Sequence, residues 1–241
     1  MKTFVTVVAI CALIIISVYA CTSAIFQTIH VRYRLTVEVN VGDQVKASSG
    51  VIEVSYPIFP DSFVNLDGPN NHPRVVGYAI TVDLGERGLL FLTFAEAQRS
   101  PDQRRSRIRC TLDDIGCLAF AAYRTGIGDS YSQQKTALND LLGQSGPRDV
   151  PFTDLPELVR FLDINDPTTL VPVSPFDLAA SFGPGVKLSR VILELTDSAE
   201  TPEPEIWPDW LKIKKNETQY LEDTKMADAT SAMNMAAAQQ F

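Results

Sequence analysis

From Thr3 to Ile29 the chain carries no charged side chain, and Val7 to Ile16 is continuously apolar. About 20 apolar residues suffice to cross roughly 30 Å of hydrocarbon as a helix, with every backbone hydrogen bond closed inside the segment. Residues 4–26 therefore predict a spanning helix. Two other fates fit the same residues. Val18-Tyr19-Ala20 and Thr22-Ser23-Ala24 both offer small residues at the spacing of a signal-peptide cleavage site. Val18-Tyr19-Ala20-Cys21 also partly matches a lipoprotein signal, with Cys21 as the acylated residue, although Tyr19 is bulky where a small residue is usual. Lys2 lies on one side of the segment and Arg32 and Arg34 on the other, so the charge rule for orientation is nearly balanced. A short N-terminal anchor usually places the following domain outside the cytoplasm. The expectation is a single-pass inner-membrane protein with its domain in the periplasm; a lipoprotein and a secreted periplasmic protein are the alternatives.

The rest is long enough for one globular domain, expected over residues 30–211, after a segment at 1–29 and before a polar tail at 212–241. With 45% hydrophobic and 21% charged residues the chain as a whole is not disordered. A net charge of -8 argues against a nucleic-acid binder.

Tyr33, Leu35, Val37, Val39 and Val41 alternate with polar residues, which is the period of a strand with one buried face. Gly42-Asp43-Gln44 predicts a turn, and Val45 to Tyr56 a returning strand with Gly50 as a candidate bulge. A second hairpin is expected from Val75–Leu84 and Gly88–Phe94, with Leu89-Leu90-Phe91-Leu92 central. Ile108 to Leu112 reads as a short strand. Ile115–Tyr123 and Gln133–Leu142 read as helices, the second stopped by Gly143. Val150–Phe152 and Leu158–Ile164 look extended, Asp166-Pro167 turns, and Pro175–Phe182 makes a helical turn or two. Val186–Leu195 is the last strand. Beyond it, Trp207 and Trp210 predict that an acidic, proline-rich strap packs back onto the domain. The expected class is α+β: one mainly antiparallel β domain with a few short helices, preceded by a membrane helix.

Chemistry-bearing residues are sparse. Cys110 and Cys117 would close a small loop in an oxidising compartment, and buried free thiols fit equally well. His30 falls at the expected membrane edge. His72 is the one plausible base for a serine hydrolase, but no G-x-S-x-G is present. Asp113-Asp114 and Asp163-Ile164-Asn165-Asp166 are acid clusters; the second departs from a calcium loop at its sixth position and reads as an Asx turn. Arg99, Arg104, Arg105, Arg107 and Arg109 stand out in an acidic chain. They suit anionic lipid head groups, a carbohydrate phosphate or an acidic partner, or equally this chain's own acidic strap. No catalytic set, metal site, nucleotide motif or cofactor is expected.

Tyr33-Arg34-Leu35-Thr36-Val37-Glu38-Val39, Ser48-Ser49-Gly50-Val51-Ile52-Glu53-Val54, Phe161-Leu162-Asp163-Ile164-Asn165-Asp166-Pro167 and Leu178 to Val186 together resemble an uncharacterised family of bacterial envelope proteins with an N-terminal hydrophobic segment. The resemblance spans about Tyr33 to Trp210. It implies a bacterial envelope protein and supplies no activity. The resulting expectation is a non-enzymatic binding or accessory module with an envelope protein partner. A membrane-anchored hydrolase with a non-motif site, around His72, Asp113 and Asp114, is the alternative.

Overall fold

A computed structural model describes residues 27–58, 73–94, 114–126 and 131–211. The membrane segment, His72, the arginine run, Cys110, Asp113, the short strand at 108–112 and the tail lie outside these residues.

Two long strands set the architecture. β1 (Gln27–Val41) and β2 (Gln44–Ile58) form an unbroken antiparallel ladder from Val41↔Gln44 to Gln27↔Ile58. The alternation in β1 buries Val31, Tyr33, Leu35, Val37 and Val39 completely. Two residues, Gly42 and Asp43, make the turn, and Gly42 takes the positive φ (59°) that a tight hairpin demands. The strand is already formed at Gln27, earlier than the alternation from Val31 indicates. Gly50 is not a bulge: it pairs in register with Leu35. Its missing side chain makes room for the opposite sheet, since a Cβ there would lie 2.6 Å from Ile80 Cδ1. The register shift falls instead at Glu38/Val39, against β9 (Val186–Leu195).

The remaining strands described are β3 (Arg74–Val76), β4 (Ile80–Asp83), β5 (Leu89–Leu92), β6 (Arg148–Asp149), β7 (Leu158–Phe161) and β8 (Leu170–Val173). The first sheet runs β3-β2-β1-β9-β6 and the second β4-β5-β7-β8, with all described pairings antiparallel. The stretch 75–84 is thus not one hairpin arm. Gly77, at φ 147°, breaks it, so that β3 joins the first sheet and β4 the second. β5 is central, as its apolar run predicts. Phe152–Asp154 is a single 3-10 turn where an extended segment was expected, with β6 just before it. The strand at Leu170–Val173 carries Pro172, which hid it from a pattern reading.

Three short helices complete the described fold: α1 (Asp114–Tyr123), α2 (Tyr131–Leu142) and α3 (Ala179–Phe182). Gly143 ends α2 as expected, its N–H bonding the Asn139 carbonyl at 3.0 Å. Leu118 and Phe120 of α1 and Leu138 and Leu141 of α2 join the inner faces of both sheets in one core. Tyr56 and Phe120 meet edge to face at 5.9 Å. The Tyr56 hydroxyl donates to the Gly116 carbonyl at 2.5 Å, fixing the start of α1 to the end of the hairpin where β1 begins. Two arginines close the other end of the small helix α3. Arg87 donates to the Phe182 carbonyl at 2.7 Å and Arg160 to the Ser181 carbonyl, satisfying groups that a helix C-terminus leaves open.

After β9 the chain becomes a strap, residues 196–211. It crosses the outer face of the first sheet, and its Thr201 bonds both the N–H and the carbonyl of Val51 in β2. It then covers the outer face of the second sheet. There Trp207 and Leu211 pack with Ala79, Phe91, Val159 and Phe161 in a second apolar cluster.

Candidate functional site

The main concentration of interacting ionisable side chains among the described residues lies on the outer face of the first sheet. The alternation that buries the odd residues of β1 sends His30, Arg32 and Arg34 outward. The register places His30 opposite Ser55 and Arg32 opposite Glu53. Glu53 is the hub. One carboxylate oxygen lies 2.9 Å from His30 Nδ1, and the other accepts from Arg32 Nε at 2.6 Å. Ser55 Oγ is 2.9 Å from the same His30 nitrogen and 3.3 Å from Glu53 Oε1. Arg32 Nε also lies 3.2 Å from Glu200 Oε1 of the strap. The Arg34 guanidinium donates to Ser198 Oγ at 3.3 Å.

The electrostatics follow from this geometry. Burial pushes the Glu53 carboxyl upward, but hydrogen bonds from His30 and Arg32, together with their charge, outweigh it and hold the carboxyl below its ordinary value. In turn, the hydrogen bond to Glu53 and then its charge raise the Arg32 guanidinium above its usual value. On the other sheet, burial and then the nearby Glu203 carboxylate raise the Tyr78 phenol.

This cluster contains serine, histidine and glutamate, yet it is not wired as a nucleophilic triad. A triad needs the hydroxyl on one imidazole nitrogen and the acid on the other. Here both meet Nδ1. An ionised Glu53 requires Nδ1 to carry the proton, so the Ser55 hydroxyl has no basic nitrogen to donate to and turns to Glu53. What the arrangement does provide is an oriented imidazole: Glu53 and Ser55 hold Nδ1, and when the ring is neutral the Nε2 atom is left as the lone pair, on a side chain that is 57% exposed. Among the described residues no three His, Cys, Asp or Glu side chains group to hold a metal ion.

The residues expected from sequence fare unevenly. Arg99, Arg104, Arg105, Arg107, Arg109, Cys21, Cys110, His72 and Asp113 lie outside the described residues. The backbone of Asp114 opens α1. Cys117, half-buried in α1, is disulfide-bonded, and the chain's other cysteines, Cys11, Cys21 and Cys110, all lie outside the described residues. Asp163 and Asp166 accept backbone N–H bonds from Asn165 and Thr168, each at 2.9 Å, which is the Asx-turn arrangement. The strap's Glu200 pairs with Arg32. His30, Arg32, Glu53 and Ser55 were not expected to form a site; the signal was the hairpin register.

No protein-family model matches the chain, and neither a curated protein nor a solved structure matches it significantly. The resemblance to envelope proteins therefore rests on its quoted residues alone. Among the described residues, no helix is long and apolar enough to cross a membrane.

Proposed function

We propose that this chain is a non-enzymatic binding or accessory module of the bacterial envelope. It is tethered to the cytoplasmic membrane through residues 4–26 and faces the periplasm. The observation that carries the reading is the pairing of Gln27 with Ile58. The folded sheet extends at least as far as Gln27, which leaves no linker after residues 4–26 and suits a domain seated directly on a bilayer. The disulfide at Cys117 adds support, because such bonds persist in oxidising compartments; Cys110 is the proposed partner. The wiring of Glu53 adds more, since both its oxygens are committed to this chain's own side chains, His30 and Arg32.

The arginine-bearing segment fits the same picture. It leads into α1, whose Gly116 is held by Tyr56. Tyr56 pairs with Ile29, near the proposed membrane surface. Anionic headgroups or an acidic envelope partner are the proposed contacts of Arg99, Arg104, Arg105, Arg107 and Arg109. Alkaline carbonate extraction and protease accessibility in intact spheroplasts test the reading. Release of the full-length chain by carbonate, or protection of the domain from external protease, would sink it.

A second reading, a membrane-anchored hydrolase, is favoured by one observation: the imidazole of His30 oriented by Glu53. In that reading Nε2 is a general base for water, and Ser55 is not the nucleophile. A hydrolase screen with ester and phosphoester probes, repeated on His30→Gln, decides it. Activity unchanged in the variant would remove His30 from that role.

A further inference from the structure

β2 pairs with β1 over its whole length, but β3 covers its other edge only at Glu53–Ser55. In an antiparallel strand the backbone groups of alternate residues point to opposite edges. Val51 marks the phase, because both its N–H and its carbonyl turn away from β1 to meet Thr201. By the same alternation Ser49, Ala47 and Val45 present their N–H and carbonyl groups outward. Among the described residues these six groups have no partner. All three residues are exposed, and Val45 is 62% exposed.

An open edge is a template for another strand, and folded proteins usually blunt it. The other edges here are blunted. β3 and β6 are three and two residues long. β9 lies between β1 and β6, and its pairing with β1 is interrupted by the register shift. β8 contains Pro172. β4 is buried at three of its four positions. The stretch Val45–Ser49 has no proline and no bulge, and its ladder to β1 is regular. Thr201 already meets this edge at Val51, through its hydroxyl and its own N–H.

We propose that the edge of β2 at Val45–Ser49 takes up an extended segment of a partner protein by strand addition. A second copy of this chain is the obvious competitor. Its edge could pair symmetrically only in the antiparallel sense, about a two-fold axis at Ala47. That axis would send the two Gln27 ends in opposite directions, each about 50 Å of strand from the hairpin turn. Two chains anchored in one membrane cannot meet that way, so the choice of a different partner rests on the tethered reading. The fitting segment is proline-free, with an apolar residue facing Val45 and an acidic residue beside Lys46.

The test is residue-resolved amide exchange on the full-length protein, in its native membranes and as detergent-purified protein. The expected result is at least a tenfold slowing at Val45, Ala47 and Ser49 in membranes. Lys46 and Ser48, whose amides bond β1, should not change. Ala47→Pro removes one outward donor and leaves the β1 ladder; it should lose a co-purifying protein that the wild type retains. Should that variant fail to fold, the wild-type exchange still decides. Equal rates in the two preparations would overturn the proposal. Slowing in the purified protein that grows with its concentration would overturn it in favour of self-pairing. Carbonate extraction of the same membranes tests the tether separately.

Discussion

The two sheets expose their outer faces to the same strap and bind it by opposite means. On the second sheet the contact is apolar. Trp207 is buried against Phe91 and Tyr78, and Trp210 meets Phe161 edge to face at 5.3 Å. On the first sheet the contact is polar, made by Glu200 and Ser198 on partly exposed arginines. Burial of an aromatic side chain is worth several kcal/mol, whereas a half-exposed ion pair is worth about 0–1 kcal/mol. The second face thus fastens the strap, and the first adjusts where it lies. The charged face is left free to respond to its surroundings.

The sharpest way to break this contrast is at Trp207. Trp207→Ala should cost about 3–5 kcal/mol, measured by denaturant unfolding, because it empties a site that is 2% exposed. It also removes the indole bond to Thr81 Oγ1, which is 2.7 Å long. Trp207→Phe keeps most of the apolar area and loses that bond, so about 1–3 kcal/mol is expected. A loss from Trp207→Ala no larger than a surface substitution would mean the strap is not part of the folded unit.

On the first sheet the largest effect belongs to the hub. Glu53→Gln removes the charge that Arg32 and His30 converge on, for an expected cost of about 1–3 kcal/mol at neutral pH. The pH dependence has a definite sign. The carboxyl sits lower in the folded protein than its ordinary value of 4.5. Its contribution is therefore complete above that value and is lost as pH falls through the folded value. Unfolding curves between pH 3 and pH 6 should show an acid limb in the wild type that is shallower in Glu53→Gln. Parallel curves would mean the carboxylate is not held by its cations.

How much of this was legible in the sequence turns on single residues. The alternation in β1, the central run Leu89–Leu92, both longer helices and the tryptophan-anchored strap were all readable, because each is a local pattern. The polar cluster was not, because a register converts local patterns into contacts. Reading Gly42-Asp43-Gln44 as a three-residue turn pairs Val41 with Val45 and sets His30 opposite Tyr56. The actual two-residue turn pairs Val41 with Gln44 and sets His30 opposite Ser55 and Arg32 opposite Glu53. A slip of one residue moves every side chain to the other face. Gly50 misled for a related reason. A glycine in a strand signals either a bulge or a close approach, and only the opposing Ile80 tells which.

The smallest expected effect sharpens the comparison most. Glu200→Gln leaves the Glu53 hub intact and removes only the strap's own charge from Arg32. With side chains 41% and 32% exposed, the pair is largely screened by solvent, and the change in global stability should approach the error of measurement. Local behaviour should differ. If the first sheet only adjusts a strap that the second fastens, Glu200→Gln should raise amide exchange at Thr196 and Thr201, whose N–H groups bond Arg32 and Val51. Exchange at Trp207 and Leu211 should stay as it was. Raised salt should reproduce the pattern in the wild type, because screening weakens exposed pairs and leaves aromatic packing in place. Uniform acceleration along the whole strap would show that the two faces hold it as one cooperative element, and the division between fastening and adjusting would be lost.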